Sequence, residues 1–268
     1  VIRARIAAEH EAARSRREAN PEPEPQSARV GSRCPICFED WDVNANNAIR
    51  VCCCRRVCES CEAKIGLDAC PLCRVPPAEN DAEDLARLRR HVENEVPEAI
   101  TNLGNAYRFG LLGLVQSEKK AAKLWKRAVE LGNVSAFNNL AYMYDHGKGV
   151  KQDEKKARQL YRMAAERGNA AAQHNLGFLL NQLSGPDEAM PWFKMAAEQG
   201  YTQAEFQLGI CMLERQRDWI NSQSKAVRGQ YLDDAAVADL DEARRWLRRA
   251  AAKGHEPAIS ALDGLSSM

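Results

Sequence analysis

The sequence predicts a mainly α-helical chain, with a small cysteine-rich module set ahead of an all-α array of helix-turn-helix repeats. Three observations carry this. Nine of the ten cysteines fall between Cys34 and Cys73. From Pro97 onward, alanines, glycines and large apolar residues recur at fixed offsets. The composition, 28% charged and 6% aromatic, suits soluble helices.

In chain order the sequence divides into four parts: 1–31, 32–75, 76–96 and 97–268. Residues 1–19 read as a short charged helix, with Ile2 and Ile6 one turn apart, or as the end of a disordered arm. Pro21-Glu-Pro-Glu-Pro25 then forms an extended, semi-rigid spacer. Val75-Pro76-Pro77 closes the cysteine-rich part. Asp81 begins a helix whose Leu85, Leu88 and Val92 form one apolar stripe, which the following domain should cover.

The cysteines come as Cys34-Pro-Ile-Cys37, Cys52-Cys53-Cys54, Cys58-Glu-Ser-Cys61 and Cys70-Pro-Leu-Cys73. So short a segment has little core and needs a staple. Four thiolate pairs make two closed sulfur sites of the kind structural zinc prefers, so two zinc ions are expected. No signal-peptide pattern precedes the cluster, and nine is an odd number for disulfide pairing. The module resembles a RING finger in its all-cysteine form. That resemblance implies one zinc on Cys34, Cys37, Cys58 and Cys61. The other takes Cys70 and Cys73 with two of the three central cysteines. Cys52 and Cys54 are favoured because one intervening residue lets both thiolates turn to one ion; Cys53 is the alternative ligand.

In RING-type ubiquitin ligases, the positions of Ile36 and Pro71 contact the ubiquitin-conjugating enzyme, and Ile65 or Leu67 supplies the centre of that groove. Arg74 matches the linchpin position, where a guanidinium's fan of donors satisfies the conjugating enzyme and its ubiquitin together. Ile36 and Leu72 serve equally well as the module's own small core, Pro71 is common in zinc knuckles generally, and Arg74 is also compatible with a solvated surface charge. On the ligase reading the module is a transferase with no covalent intermediate and no catalytic nucleophile. It restricts the thioester to a reactive pose.

The repeats align on Gly132, Gly168, Gly200 and Gly254. Seven residues before each stands Trp125, Tyr161, Phe193 or Leu247. Ala99, Ala136, Ala172, Ala204 and Ala258 each precede a leucine by four residues. Gly147-Lys-Gly149-Val150 is the turn of the second unit, Asp153 its cap, and the third unit has Ser184-Gly-Pro186 instead. One hairpin cannot bury its own apolar face, so neighbours must stack. The fourth unit carries about 18 extra residues between Glu214 and Leu240, and Ala258 opens a truncated cap. The pattern resembles the Sel-1-like repeat, a relative of the tetratricopeptide repeat. That resemblance implies a scaffold that holds a substrate or adaptor.

Other residues read more plainly. Cys211 falls in a slot that is apolar in every unit and belongs to the core. Asn102, Asn139 and Asn175, with Gln207, recur before the repeat leucines, which argues for a structural hydrogen bond over a ligand row. His10, His91, His146, His174 and His255 share no metal spacing. In the insertion, Arg215, Arg217, Lys225 and Arg228 accompany Trp219 and Tyr231; a solvated loop is expected, with a nucleic-acid grip as the alternative. Net charge +1 argues against nucleic acid as a partner, and no apolar run approaches a membrane span. The densest such run is Leu111 to Val115. Cysteine use fits a reducing, intracellular compartment, cytoplasmic or nuclear; Val1 leaves the true N-terminus open. The expected function is therefore a zinc-binding RING-type ubiquitin ligase with substrate-holding repeats, or else a non-catalytic interaction scaffold with a structural zinc module.

Overall fold

The computed structural model describes residues 78–222 and 234–266, together with the backbone of 49–50 and 55–56. The chain divides into two units, Val1–Gly31 and Ser32–Met268, and every described residue lies in the second. Strand β1 (Ile49–Arg50) pairs antiparallel with β2 (Arg55–Arg56), Ile49 opposite Arg56. Cys52, Cys53 and Cys54 stand between these strands in sequence and, like the other module cysteines, lie outside the described residues.

The helices are α1 (Asp81–Glu93), α2 (Pro97–Phe109), α3 (Glu118–Glu130), α4 (Val134–His146), α5 (Glu154–Glu166), α6 (Ala170–Ser184), α7 (Pro186–Glu198), α8 (Thr202–Ser222), α9 (Asp234–Ala252) and α10 (Glu256–Ser266). Each packs mainly on the helices before and after it in the chain, as a stacked array of hairpins requires.

Local signals set the boundaries. Ser117 and Asp153 cap α3 and α5 by accepting from the amides of Lys120 and Lys156 at 3.4 and 3.0 Å. Asn133 and Asn169 do the same for α4 and α6 at 3.0 and 2.8 Å. Each such cap contributes about 1 kcal/mol. Gly132, Gly168, Gly200 and Gly254 end the second helix of each unit at φ between +79° and +84°.

The repeat core is a notch filled by a large side chain. Trp125, Tyr161, Phe193 and Leu247 are fully buried. Opposite them stand Gly104, Ala141, Gly177 and Gly209. A Cβ on Gly104 would lie 2.4 Å from Trp125 Nε1, and one on Gly177 2.9 Å from the Phe193 ring. Trp125 Nε1 also donates to the Thr101 carbonyl at 3.1 Å. Helix α1 packs as the stripe requires. Asn80 caps it, and Leu88 is buried beside Ala99 and Leu103, with Leu85 and Val92 against them.

The insertion departs from the expected solvated loop. Helix α8 runs 21 residues and α9 runs 19, against 13 in α2 to α5. Leu213 to Ser222 contains no glycine or proline, so nothing stops α8 where the earlier first helices stop. Only 223–233 of the insertion lie outside the described helices.

Candidate interaction surface

None of the module's expected ligands or contacts falls among the described residues: Cys34, Cys37, Cys52, Cys53, Cys54, Cys58, Cys61, Cys70, Cys73, Ile36, Pro71 and Arg74 all lie outside them. The surface that can be built from side chains upward is the one formed by the first helices of the repeats.

Adjacent first helices are joined by amide pairs. Asn139 Nδ2 donates to Asn105 Oδ1 at 3.1 Å, bridging α4 to α2. Asn175 Nδ2 donates to Asn138 Oδ1 at 3.0 Å, bridging α6 to α4. The structural role expected of Asn139 and Asn175 is therefore found, although their partners, Asn105 and Asn138, were not singled out by the repeat pattern.

Further along the same face an aromatic-cationic cluster centres on Tyr142. The Arg108 guanidinium stands 4.4 Å from its ring centre, and Lys148 Nζ lies 3.3 Å from its hydroxyl. The His146 ring stacks on Tyr142 at 4.1 Å and 23°. Phe109, beside Arg108 at 4.9 Å, is 60% exposed. Phe178, which aligns with Tyr142 one unit later, is 46% exposed. Two exposed rings on one face, with Arg108 beside the first of them, are the makings of a protein-binding face. The alignment of columns contained this cluster, but only the fold shows that Arg108 of one unit reaches Tyr142 of the next.

Behind the face, in the second, third and fourth units, the fourth residue of the first helix meets the residue that closes its own second helix. Arg167 lies over the Phe137 ring at 4.9 Å. Gln199 Nε2 donates to buried Gln173 at 2.6 Å. Lys253 Nζ and Arg249 both stand 3.0 Å from Glu205 Oε1, and Glu205 is fully buried. Sequence reading missed buried Glu205; its alignment with Ile100 and Phe137 was the available signal.

Cys211 is fully buried, and burial pushes its thiol up to about 11, so it stays protonated and shielded as a core residue. His174 packs against the Phe193 and Tyr201 rings, and burial lowers its pKa. Among the described residues no three metal-ligating side chains gather, and no helix is long and apolar enough to cross a membrane. Arg215 pairs with Asp239 at 2.8 Å and Arg217 with Asp218 at 3.4 Å, so these two cations of the insertion already have acidic partners. Lys225, Arg228 and Tyr231, and the side chain of Trp219, lie outside the described residues.

Comparison with known proteins agrees with this geometry. The Sel1 repeat family model matches residues 97–133, 135–169, 170–201 and 229–255. The last match omits α8, the helix that the insertion lengthens. Among solved structures, a Sel1 repeat protein from Oxalobacter formigenes is 26% identical, with TM-score 0.57 over 71% of this chain and 70% of that one. The protein c5321, a protective antigen of uropathogenic Escherichia coli displaying an SLR fold, is 25% identical, with TM-score 0.32. That match covers 67% of this chain and half of c5321. The immunity protein Pa5087 from Pseudomonas aeruginosa is 20% identical, with TM-score 0.43, over 74% of this chain and 65% of that one. No curated protein matches the chain.

Proposed function

We propose, starting from a chain whose helical array is built of Sel1 repeats, that this protein is a protein-interaction scaffold and that the face of α2, α4 and α6 receives its partner. One observation carries the reading: Phe109 and Phe178 stay exposed on a face whose neighbouring side chains are otherwise tied into amide pairs and cation-ring contacts. Arg108 and Lys148 favour a partner segment carrying acidic as well as apolar side chains. The test is to select peptides from a displayed random library on the full chain. Their affinities are then measured for the parent and for Phe109→Ala combined with Phe178→Ala. A loss of at least about tenfold supports this face; unchanged affinity places the binding elsewhere.

A second reading rests on the four cysteine groups and Arg74: the module is a two-zinc RING finger, and the protein a ubiquitin ligase whose repeats hold the substrate or an adaptor. Two measurements address it. Elemental analysis should give two zinc equivalents per chain. Incubation with activating enzyme, a panel of conjugating enzymes and ubiquitin should give ubiquitin chains with the parent and far fewer with Arg74→Ala. Two zincs without discharge from any conjugating enzyme would leave the scaffold with a structural metal module.

A further inference from the structure

The loops that join the two helices of the first and second units are built alike, yet their outward residues differ in kind. In the first unit the chain runs Gly110-Leu-Leu-Gly113-Leu-Val-Gln-Ser117, and in the second Gly147-Lys-Gly149-Val-Lys-Gln-Asp153. Gly110 and Gly147 have φ of +68° and +65°, Gly113 and Gly149 +69° and +66°, and Ser117 and Asp153 cap the next helix. The inward residues correspond: Leu112 and Leu114 pack beside Leu88, Ala99 and Leu103, and Val150 packs in the second core cluster. The first loop is fixed by hydrogen bonds, Leu114 N to Leu111 O at 3.0 Å and Ser117 N to Tyr107 O at 2.8 Å. Leu111 and Val115 therefore do not point outward for want of order.

Those two residues are 53% and 87% exposed, and among the described residues their side chains join no core cluster. At the matching outward places the second loop has Lys148 and Lys151. The loops are neighbours, because a Cβ on Gly149 would lie 2.5 Å from the Glu118 backbone at the start of α3. Around them Lys119, Lys151 and Lys155 are exposed and make no ion pair among the described residues. Residues 108–167 hold thirteen lysines and arginines against six acidic residues, a net +7 in a chain of net +1. The third unit ends the pattern, with Asp187 and Glu188 at the start of α7.

We propose that this loop edge is a membrane-surface contact: Leu111 and Val115 enter the headgroup region of an anionic bilayer while Lys119, Lys151 and Lys155 meet the lipid phosphates and carboxylates. Apolar tips without charge would bind lipid weakly, and lysines without apolar tips would bind any polyanion; side by side they select an anionic lipid surface. The contact is peripheral and reversible.

The experiment is flotation of the full chain with vesicles of phosphatidylcholine alone, and with vesicles in which about a third is phosphatidylserine. Binding is expected only to the second, and rising salt should weaken it. Leu111→Asp with Val115→Asp should reduce partitioning at least about tenfold, and Lys119→Glu with Lys151→Glu at least as much. Lys194→Glu in the third unit should leave it unchanged. Helical circular dichroism on every variant separates lost contact from lost fold. Binding to neither vesicle overturns the proposal. So does binding that both double variants retain, or binding of polyglutamate without binding of anionic vesicles.

Discussion

The first and fourth units of the array bring their two helices together by different means. In the first, Trp125 fills the notch left by Gly104, and Ile100 behind it is apolar and buried. In the fourth, Leu247 fills a shallower version at Gly209, while Glu205, in the place of Ile100, holds Arg249 and Lys253. Shape closes one hairpin and charge helps to close the other. The second and third units lie between, with a cation over a ring and an amide pair at the same spot. The repeat thus demands that this gap be closed and leaves open the chemistry that closes it.

Breaking the shape-based unit should cost most. Trp125→Ala removes a fully buried indole and its hydrogen bond to Thr101, and is expected to cost about 3–5 kcal/mol. Chemical denaturation should show it as a large fall in midpoint. The reverse perturbation, Gly104→Ala, drives a methyl to within 2.4 Å of the indole and should cost about 1–3 kcal/mol. Alanine at the matching position of the second unit, Ala141, is native, so Ala141→Gly should cost only about 0.5–1 kcal/mol of helix propensity. Equal costs for the two swaps would mean that the notch is not specific to the tryptophan.

The charge-based unit is sharpened by a cycle. Lys253→Gln leaves a buried carboxylate with Arg249 as its remaining cation, and should cost about 1–2 kcal/mol. Glu205→Gln alone strands two half-exposed cations, which water can serve, and should cost less. The double variant rebuilds the amide pair seen at Gln173 and Gln199, so it should lie closer to the parent than the two single costs summed. Additive costs would mean that Glu205 and Lys253 do not act as a pair.

These contrasts also mark what the sequence could tell. The hairpins, caps and stop glycines were legible because each depends on a few adjacent residues, as with Asp153 and Gly168. The stripe of Leu85, Leu88 and Val92 announced its own burial. The core place of Cys211 followed from its apolar column. What was not legible depends on the neighbouring unit. Arg108 over Tyr142, and Asn175 donating to Asn138, join residues more than thirty positions apart. Buried Glu205 contradicts the usual exposure of glutamate, and only its two cations, far along the chain, explain it. The lengthening of α8 was missed because an insertion reads as a loop unless its lack of helix breakers is weighed.

The smallest effect concerns His174, which the third unit packs, half-buried, against Phe193 and Tyr201 where the second unit places Asn138. Burial lowers its folded-state pKa, opposed in part by its contact with Asn175 at 3.2 Å. With the folded pKa below the unfolded value of about 6.5, the unfolded chain binds the proton first, so stability falls as pH drops through that value. Above it His174 is neutral in both states and contributes no pH dependence. The window that brackets the unfolded histidine value runs from pH 7 to about 5.5. Thermal melts across that window should show a falling midpoint for the parent and a flatter profile for His174→Asn, which restores the residue of the second unit. A profile that steepens or stays unchanged in that variant would show that His174 takes up its proton in the folded protein as readily as in the unfolded chain.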